Sequence, residues 1–237
     1  MLIDAHCHAH ALDEEVLRRI EDKMIVIAVS EDLESSLKTL SLTEKFENIM
    51  PFIGVHPWSL EEITPQEIDE VAALIERRED VKGIGEVGLD GRRRNRERQM
   101  EVFRIFCRLS VEYALPMNIH ARDAWREVLE VLRRMDVESA LIHWFNGPLE
   151  ILEEIRESGY MITINPAAKI QPRHREVIEE APIDMILTES DGPYEYRGLS
   201  LRPDMVEDLV KLIAEVKGMR VEDVEEAIEF NFRRLFR

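Results

Sequence analysis

Eight short apolar runs, separated by amphipathic stretches, constrain this chain more than any other feature of its sequence. The runs lie at 2–5, 24–29, 49–54, 81–86, 115–120, 140–143, 160–164 and 184–189. Each is the length of a buried strand and too short for a buried helix. Between them, apolar residues recur at helical spacing over 65–77, 97–113, 124–135, 148–158 and 172–180, and two further helices are expected beyond residue 202. Strands alternating with helices must pair in parallel, because each helix carries the chain back across the sheet. Eight such units match a closed α/β barrel of the (β/α)8 TIM type, and an open doubly wound sheet is the runner-up. No Pro/Gly/Ser hinge, low-complexity linker or repeat interrupts the pattern, so residues 1–237 are read as one domain.

The polar residues fall at particular places in this frame. His6 and His8 follow the first run, His56 the third, Glu86 the fourth, His120 the fifth, His143 the sixth and Asp191 the eighth. These are C-terminal strand ends, the face on which barrel active sites are assembled from successive loops. On the first strand, alternation sends Asp4, His6 and His8 to one side and Ala5 and Cys7 to the other. Four imidazoles (His6, His8, His120, His143) with two carboxylates (Glu86, Asp191) exceed the needs of one four-coordinate ion. They suit two divalent cations about 3.5–4 Å apart sharing a carboxylate, which make a nucleophile at neutral pH and stabilise charge on a phosphoryl or carbonyl oxygen. Mixed nitrogen and oxygen donors favour zinc or manganese over magnesium.

Composition narrows the substrates and the setting. A net charge of −18 disfavours wrapping of long nucleic acid, which needs many Lys and Arg phosphate contacts, but leaves room for DNA ends or a small anionic substrate at a locally neutralised site. Two cysteines, Cys7 and Cys107, exclude a disulfide framework. With no signal-like segment and no run long enough to span a bilayer, a cytoplasmic location without membrane association is expected, and no protein partner is implied.

The motifs resemble, in order and over nearly the whole length, the TatD family of metal-dependent deoxyribonucleases within the amidohydrolase superfamily. They are Asp4-Ala5-His6-Cys7-His8, Gly54-Val55-His56-Pro57, Gly85-Glu86-Val87-Gly88-Leu89-Asp90, His120-Ala121-Arg122, His143 with Gly147 downstream, Glu189-Ser190-Asp191 with Pro193-Tyr194, and 231–236. The resemblance implies a first metal held by His6, His8, Glu86 and Asp191, and a second held by Glu86, His120 and His143. Glu86 would bridge them, Asp191 would orient or deprotonate the attacking water, and the reaction would be phosphodiester hydrolysis at DNA ends. The alternatives are a hydrolase of an amide, lactone or small phosphoester on the same site, and a non-catalytic metal-binding scaffold. Glu189-Ser190-Asp191 stands where the family has Glu-Thr-Asp, and the arginine-rich segment 91–98 replaces an aromatic-containing loop.

Individual residues carry further expectations. Arg122 is read as a clamp on a substrate anion and so joins Glu86 and Asp191 as a catalytic side chain. His56 either touches substrate or caps its own loop. Asp4 is expected to support a ligand histidine, Cys7 to belong to the core, and His10 and His174 to lie on the surface. Trp58 and Trp144 pack beside the site or stack on a base. The arginines at 92–98 are either the solvated start of a helix, paired with neighbouring glutamates, or a guide for a nucleic-acid end.

Overall fold

The computed structural model describes residues 1–236. Its eight parallel strands are β1 (Leu2–Cys7), β2 (Met24–Val29), β3 (Ile49–Ile53), β4 (Gly83–Gly88), β5 (Met117–His120), β6 (Ala140–Ile142), β7 (Met161–Ile164) and β8 (Ile186–Thr188). They pair in strict sequence order from β1 to β8. All eight anticipated strands are present, with ends displaced by at most two residues. β1 runs two residues further than the apolar run suggests, so His6 lies within the strand and His8 just beyond it.

The ends of the sheet meet, which makes it a (β/α)8 barrel and excludes the open doubly wound alternative. Thr188 Oγ1 donates to Ile3 O at 2.6 Å, Ser190 N to Asp4 Oδ1 at 2.7 Å, Asp191 N to His6 O at 2.9 Å, and His8 N to Gly192 O at 2.9 Å. The closing seam between β8 and β1 is therefore stitched by the residues that carry the candidate site. Asp4 serves this seam: its Oδ1 accepts from the backbone N–H groups of Ser190 and of His6, so its support of the ligand histidine runs through the His6 main chain. Burial pushes its carboxyl up to about 7.

Nine α-helices wrap the described barrel: α1 (Glu14–Ile20), α2 (Leu33–Thr43), α3 (Pro65–Arg77), α4 (Arg96–Tyr113), α5 (Trp125–Arg134), α6 (Leu152–Glu157), α7 (Pro172–Glu180), α8 (Val206–Lys217) and α9 (Val221–Leu235). Local chemistry sets several of their ends. Thr64 and Glu67 form a capping box with Pro65 at the first helical position of α3, and α8 stops at Gly218 in the left-handed region. α5 turns Val128, Leu129, Val131 and Leu132 inward, the stripe its periodicity predicts. Cys7 lies in a core cluster with Met24, Val26 and Phe46, as expected.

Candidate metal centre

Seven of the residues singled out from the sequence converge at the C-terminal mouth of the barrel. Nε2 of His6 and Nε2 of His8 are 3.4 Å apart, each is 3.5 Å from Asp191 Oδ1, and they lie 3.5 and 3.6 Å from Glu86 Oε2. Donors about 2.1 Å from a tetrahedral cation sit about 3.4 Å from one another, so the spacing fits such an ion. The other oxygen of Glu86 faces a second group. Oε1 is 2.8 Å from His120 Nδ1, 3.3 Å from His143 Nε2 and 3.2 Å from His56 Nε2. Here the ligand atoms of His56, Glu86 and His120 lie within 4.8 Å of one another, whereas His143 shares such a cluster with Glu86 and His6, and seating an ion between His120 and His143 opens the contact between Glu86 and His120.

The imidazoles are aimed by buried polar neighbours. Nδ1 of His6 donates to Asn118 Oδ1 at 2.8 Å while Asn118 Nδ2 donates to Ala5 O, which fixes the tautomer that leaves Nε2 of His6 a lone pair. His120 Nε2 faces Asp90 Oδ2 at 3.4 Å, so Nδ1 is the nitrogen turned to Glu86. Asp90 also accepts from Trp58 Nε1 and the Arg92 backbone; burial opposes its charge, but the bonds from His120, Trp58 and Arg92 hold the carboxyl well below the usual range. Glu189 accepts from Thr163 Oγ1, Asn165 Nδ2 and Trp144 N, and lies 3.5 Å from His143 Nδ1. Asn118, Asp90 and Glu189 were not assigned site roles from the sequence. The available signal was a polar side chain inside an apolar strand, with Asn118 two residues before His120 and so on the same face.

Asp191 and Glu86 are both buried, which opposes their charge. The imidazoles packed around them nevertheless hold both carboxyls well below the usual carboxylate range: His6, His8 and His143 beside Asp191, and His56, His143, His6 and His120 beside Glu86. Asp191 has φ of 54°, in the left-handed region, and Trp144 has φ of 41°; both strained positions flank the donor groups.

His56 has a different part. Its Nδ1 accepts from the Trp58 backbone N–H at 3.1 Å, so in the neutral ring Nε2 carries the proton. Burial pushes its pKa down to about 4, which keeps the ring neutral. His56 therefore presents an N–H to the site, a hydrogen-bond donor where the neighbouring imidazoles present lone pairs.

Above the donors opens a cavity of about 470 Å³ whose lining includes Trp58, Arg122, Trp144, Tyr194, Tyr196 and Arg197. Tyr196 and the adjacent turn belong to a small hairpin of β9 (Glu195–Tyr196) and β10 (Leu199–Ser200). Arg122 and Arg197 form no ion pair among the described residues; Arg122 lies 6.0 Å from the Trp58 ring centre and Arg197 5.3 Å from that of Tyr196. Trp144 is bracketed edge-on by Tyr194 and Tyr196 and donates Nε1 to Gln171. Four of the five arginines in the run 92–98 are engaged, and Arg94 is left exposed with no ion pair among the described residues. Arg92 pairs with Asp123, Arg96 pairs with Glu127, Arg93 is 3.9 Å from Glu61, and Arg98 donates to Ile63 O.

Two surface expectations are corrected. His174 is fully buried: Asn165 N donates to its Nε2 and its Nδ1 donates to Phe145 O, both at 3.0 Å. α7 turns His174 inward with Val177 and Ile178, and two backbone partners make its burial tolerable. His10 is also largely covered, with a side chain 11% exposed and Nδ1 donating to Val29 O, because the chain folds back over β2 immediately after β1.

The comparisons with known proteins bear on this geometry. The family model described as TatD related DNase matches residues 3–237. The chain belongs to that family. It is accordingly a hydrolase of the TatD type. It is 30% identical to an uncharacterized metal-dependent hydrolase of Methanocaldococcus jannaschii, over 99% of this chain and 96% of the relative. To the human deoxyribonuclease TATDN3 it is 29% identical, over 99% of this chain and 94% of that one. The crystal structure of the TatD homologue YjjV from Escherichia coli superposes with a TM-score of 0.90 at 26% identity, covering 99% of this chain and 97% of the other. Among the described residues of this TatD-family chain, no helix is long and apolar enough to cross a membrane.

Proposed function

We propose that this protein is a two-metal phosphodiesterase that removes nucleotides from DNA ends, in the cytoplasm. The observation that carries the reading is the division of Glu86: one oxygen faces His6 and His8 while the other faces His120 and His143, as a carboxylate shared between two cations must. His6, His8, Glu86 and Asp191 would hold one ion, and Glu86, His120 and His143 the other. The donor set suits zinc or manganese. Two such ions lower the pKa of a water and neutralise charge growing on a phosphoryl group.

The chain's own residues supply the rest. Asp191, held as a carboxylate, orients the attacking water and accepts its proton. His56 offers a hydrogen bond from its Nε2–H to a substrate oxygen while keeping the proton, and Arg122 grips a phosphate, since a guanidinium with no carboxylate partner among the described residues, beside an anion site, is poised for one. Trp58 and Trp144 offer ring faces to a base. The names of relatives such as the human deoxyribonuclease support DNA as the substrate, while the charge of −18 favours ends and short strands over long duplex.

The test is a panel of single-stranded DNA, duplex DNA, RNA, a small phosphodiester and a carboxylic ester, given to metal-free protein reloaded with zinc, manganese or magnesium. Turnover of DNA and the small phosphodiester, but not the ester, is the expected result. Ester turnover with inert phosphodiesters would replace this reading by an amide or lactone hydrolase on the same site, and turnover of the small phosphodiester alone by a small-phosphoester hydrolase.

A further inference from the structure

A third group of donors lies beside the two already described. Ligand atoms of His8, His10 and Glu31 fall within 4.8 Å of one another. Nδ1 of His10 is 3.2 Å from Val29 O, and a carbonyl can only accept, so this nitrogen carries the proton and Nε2 of the neutral ring is a lone pair. That lone pair faces Glu31 Oε2 at 3.8 Å, too far for a hydrogen bond and with an acceptor on each side. On the third side, Nδ1 of His8 is buried without a hydrogen-bond partner. Glu31 and His8 both line the cavity, so this group borders the space a substrate would enter. Its fellow acid Asp32 is engaged elsewhere, capping α2.

We infer that His10 and Glu31 hold a third divalent cation at the rim of the metal centre, with the N–H of His8 Nδ1 donating to a water that completes the cation's shell. One nitrogen and one carboxylate from the protein, with the remaining positions left to water, is a donor set for a manganese-like ion bound more weakly than the inner pair. The inference rests on the proposed two-ion centre only in committing Nε2 of His8 to the first ion. A cation there would add positive charge to a cavity that Arg122 and Arg197 also line.

The test counts ions without using activity. Metal-free full-length protein is dialysed to equilibrium against increasing manganese, and free ion is read by electron paramagnetic resonance. Wild type is expected to take up three equivalents, the last more weakly. His10→Gln and Glu31→Gln are each expected to take up two, with the tight pair unchanged. Glu31 has a 40% exposed side chain, so its variant folds even if the histidine variant does not. Uptake of only two by wild type, or of as many by both variants as by wild type, overturns the third site and leaves the two-ion centre standing. Fewer than two in wild type would defeat the centre itself.

Discussion

Glu86 is 2% exposed, and its two oxygens face different histidines, so it is the carboxylate placed to serve both donor groups among the described residues. Replacing it should therefore remove both ions at once: Glu86→Ala is expected to bind neither at concentrations that saturate wild type, whereas His143→Ala keeps the ion beside His6 and His8. Elemental analysis after dialysis distinguishes them, and two equivalents on Glu86→Ala would end the bridging assignment. Asp191 differs because its proposed duties are two. Asp191→Asn keeps the shape and one oxygen donor but cannot accept a proton, so turnover should fall by about 10²–10⁴ while the Michaelis constant changes little. Ion content must be measured on the same sample, and near-normal turnover with both ions present removes Asp191 from proton transfer.

At the level of elements, β4 is the strand on which Glu86 depends, and glycine governs how closely it packs. Gly88 has φ of 143°, and a Cβ there would lie 2.0 Å from His120 O, so the backbones of β4 and β5 approach in a way only glycine permits. Gly88→Ala must part the two strands that carry Glu86 and His120. A loss of about 1–3 kcal/mol or more is expected, read as a lower denaturant midpoint, together with weaker metal binding. An unchanged midpoint would mean that the loop absorbs the methyl group. The same elements show what the sequence made legible. The strands were readable because parallel strands buried on both faces appear as unbroken apolar runs, and the six donor residues because they follow those runs. Helix α2 was not anticipated, since it buries Ser35, Ser36 and Thr39 and its apolar stripe is correspondingly thin. Asn118, Asp90 and Glu189 act through contacts between distant strands, and the inward turn of His174 follows from what α7 packs against. Local spacing shows only that Asn118 shares a face with His120, and encodes none of these partners.

On the scale of the whole molecule, acid should act through two opposing effects that one substitution separates. Lowering the pH from 7 toward the isoelectric point near 4.9 discharges a surface of net charge −18 and relieves its self-repulsion, which favours the compact state. His174 works the other way. Burial pushes its pKa down to about 4 from the ordinary 6.5, and its neutral form is the one that both accepts from Asn165 N and donates to Phe145 O. Below pH 6.5 the unfolded chain binds a proton at this residue that the folded chain refuses until about pH 4. Its contribution to stability is therefore complete above pH 6.5 and is lost as the pH falls through that window, by as much as about 3 kcal/mol. His174→Gln has no proton to gain there. Wild type should be the more stable of the two at pH 7.5, and the gap measured by urea denaturation should narrow steadily down to pH 4. Surface charge is common to both proteins and cancels in the difference. A gap that stays constant across the window would mean that His174 titrates alike in the folded and unfolded chains, and that its two backbone contacts do not hold it neutral.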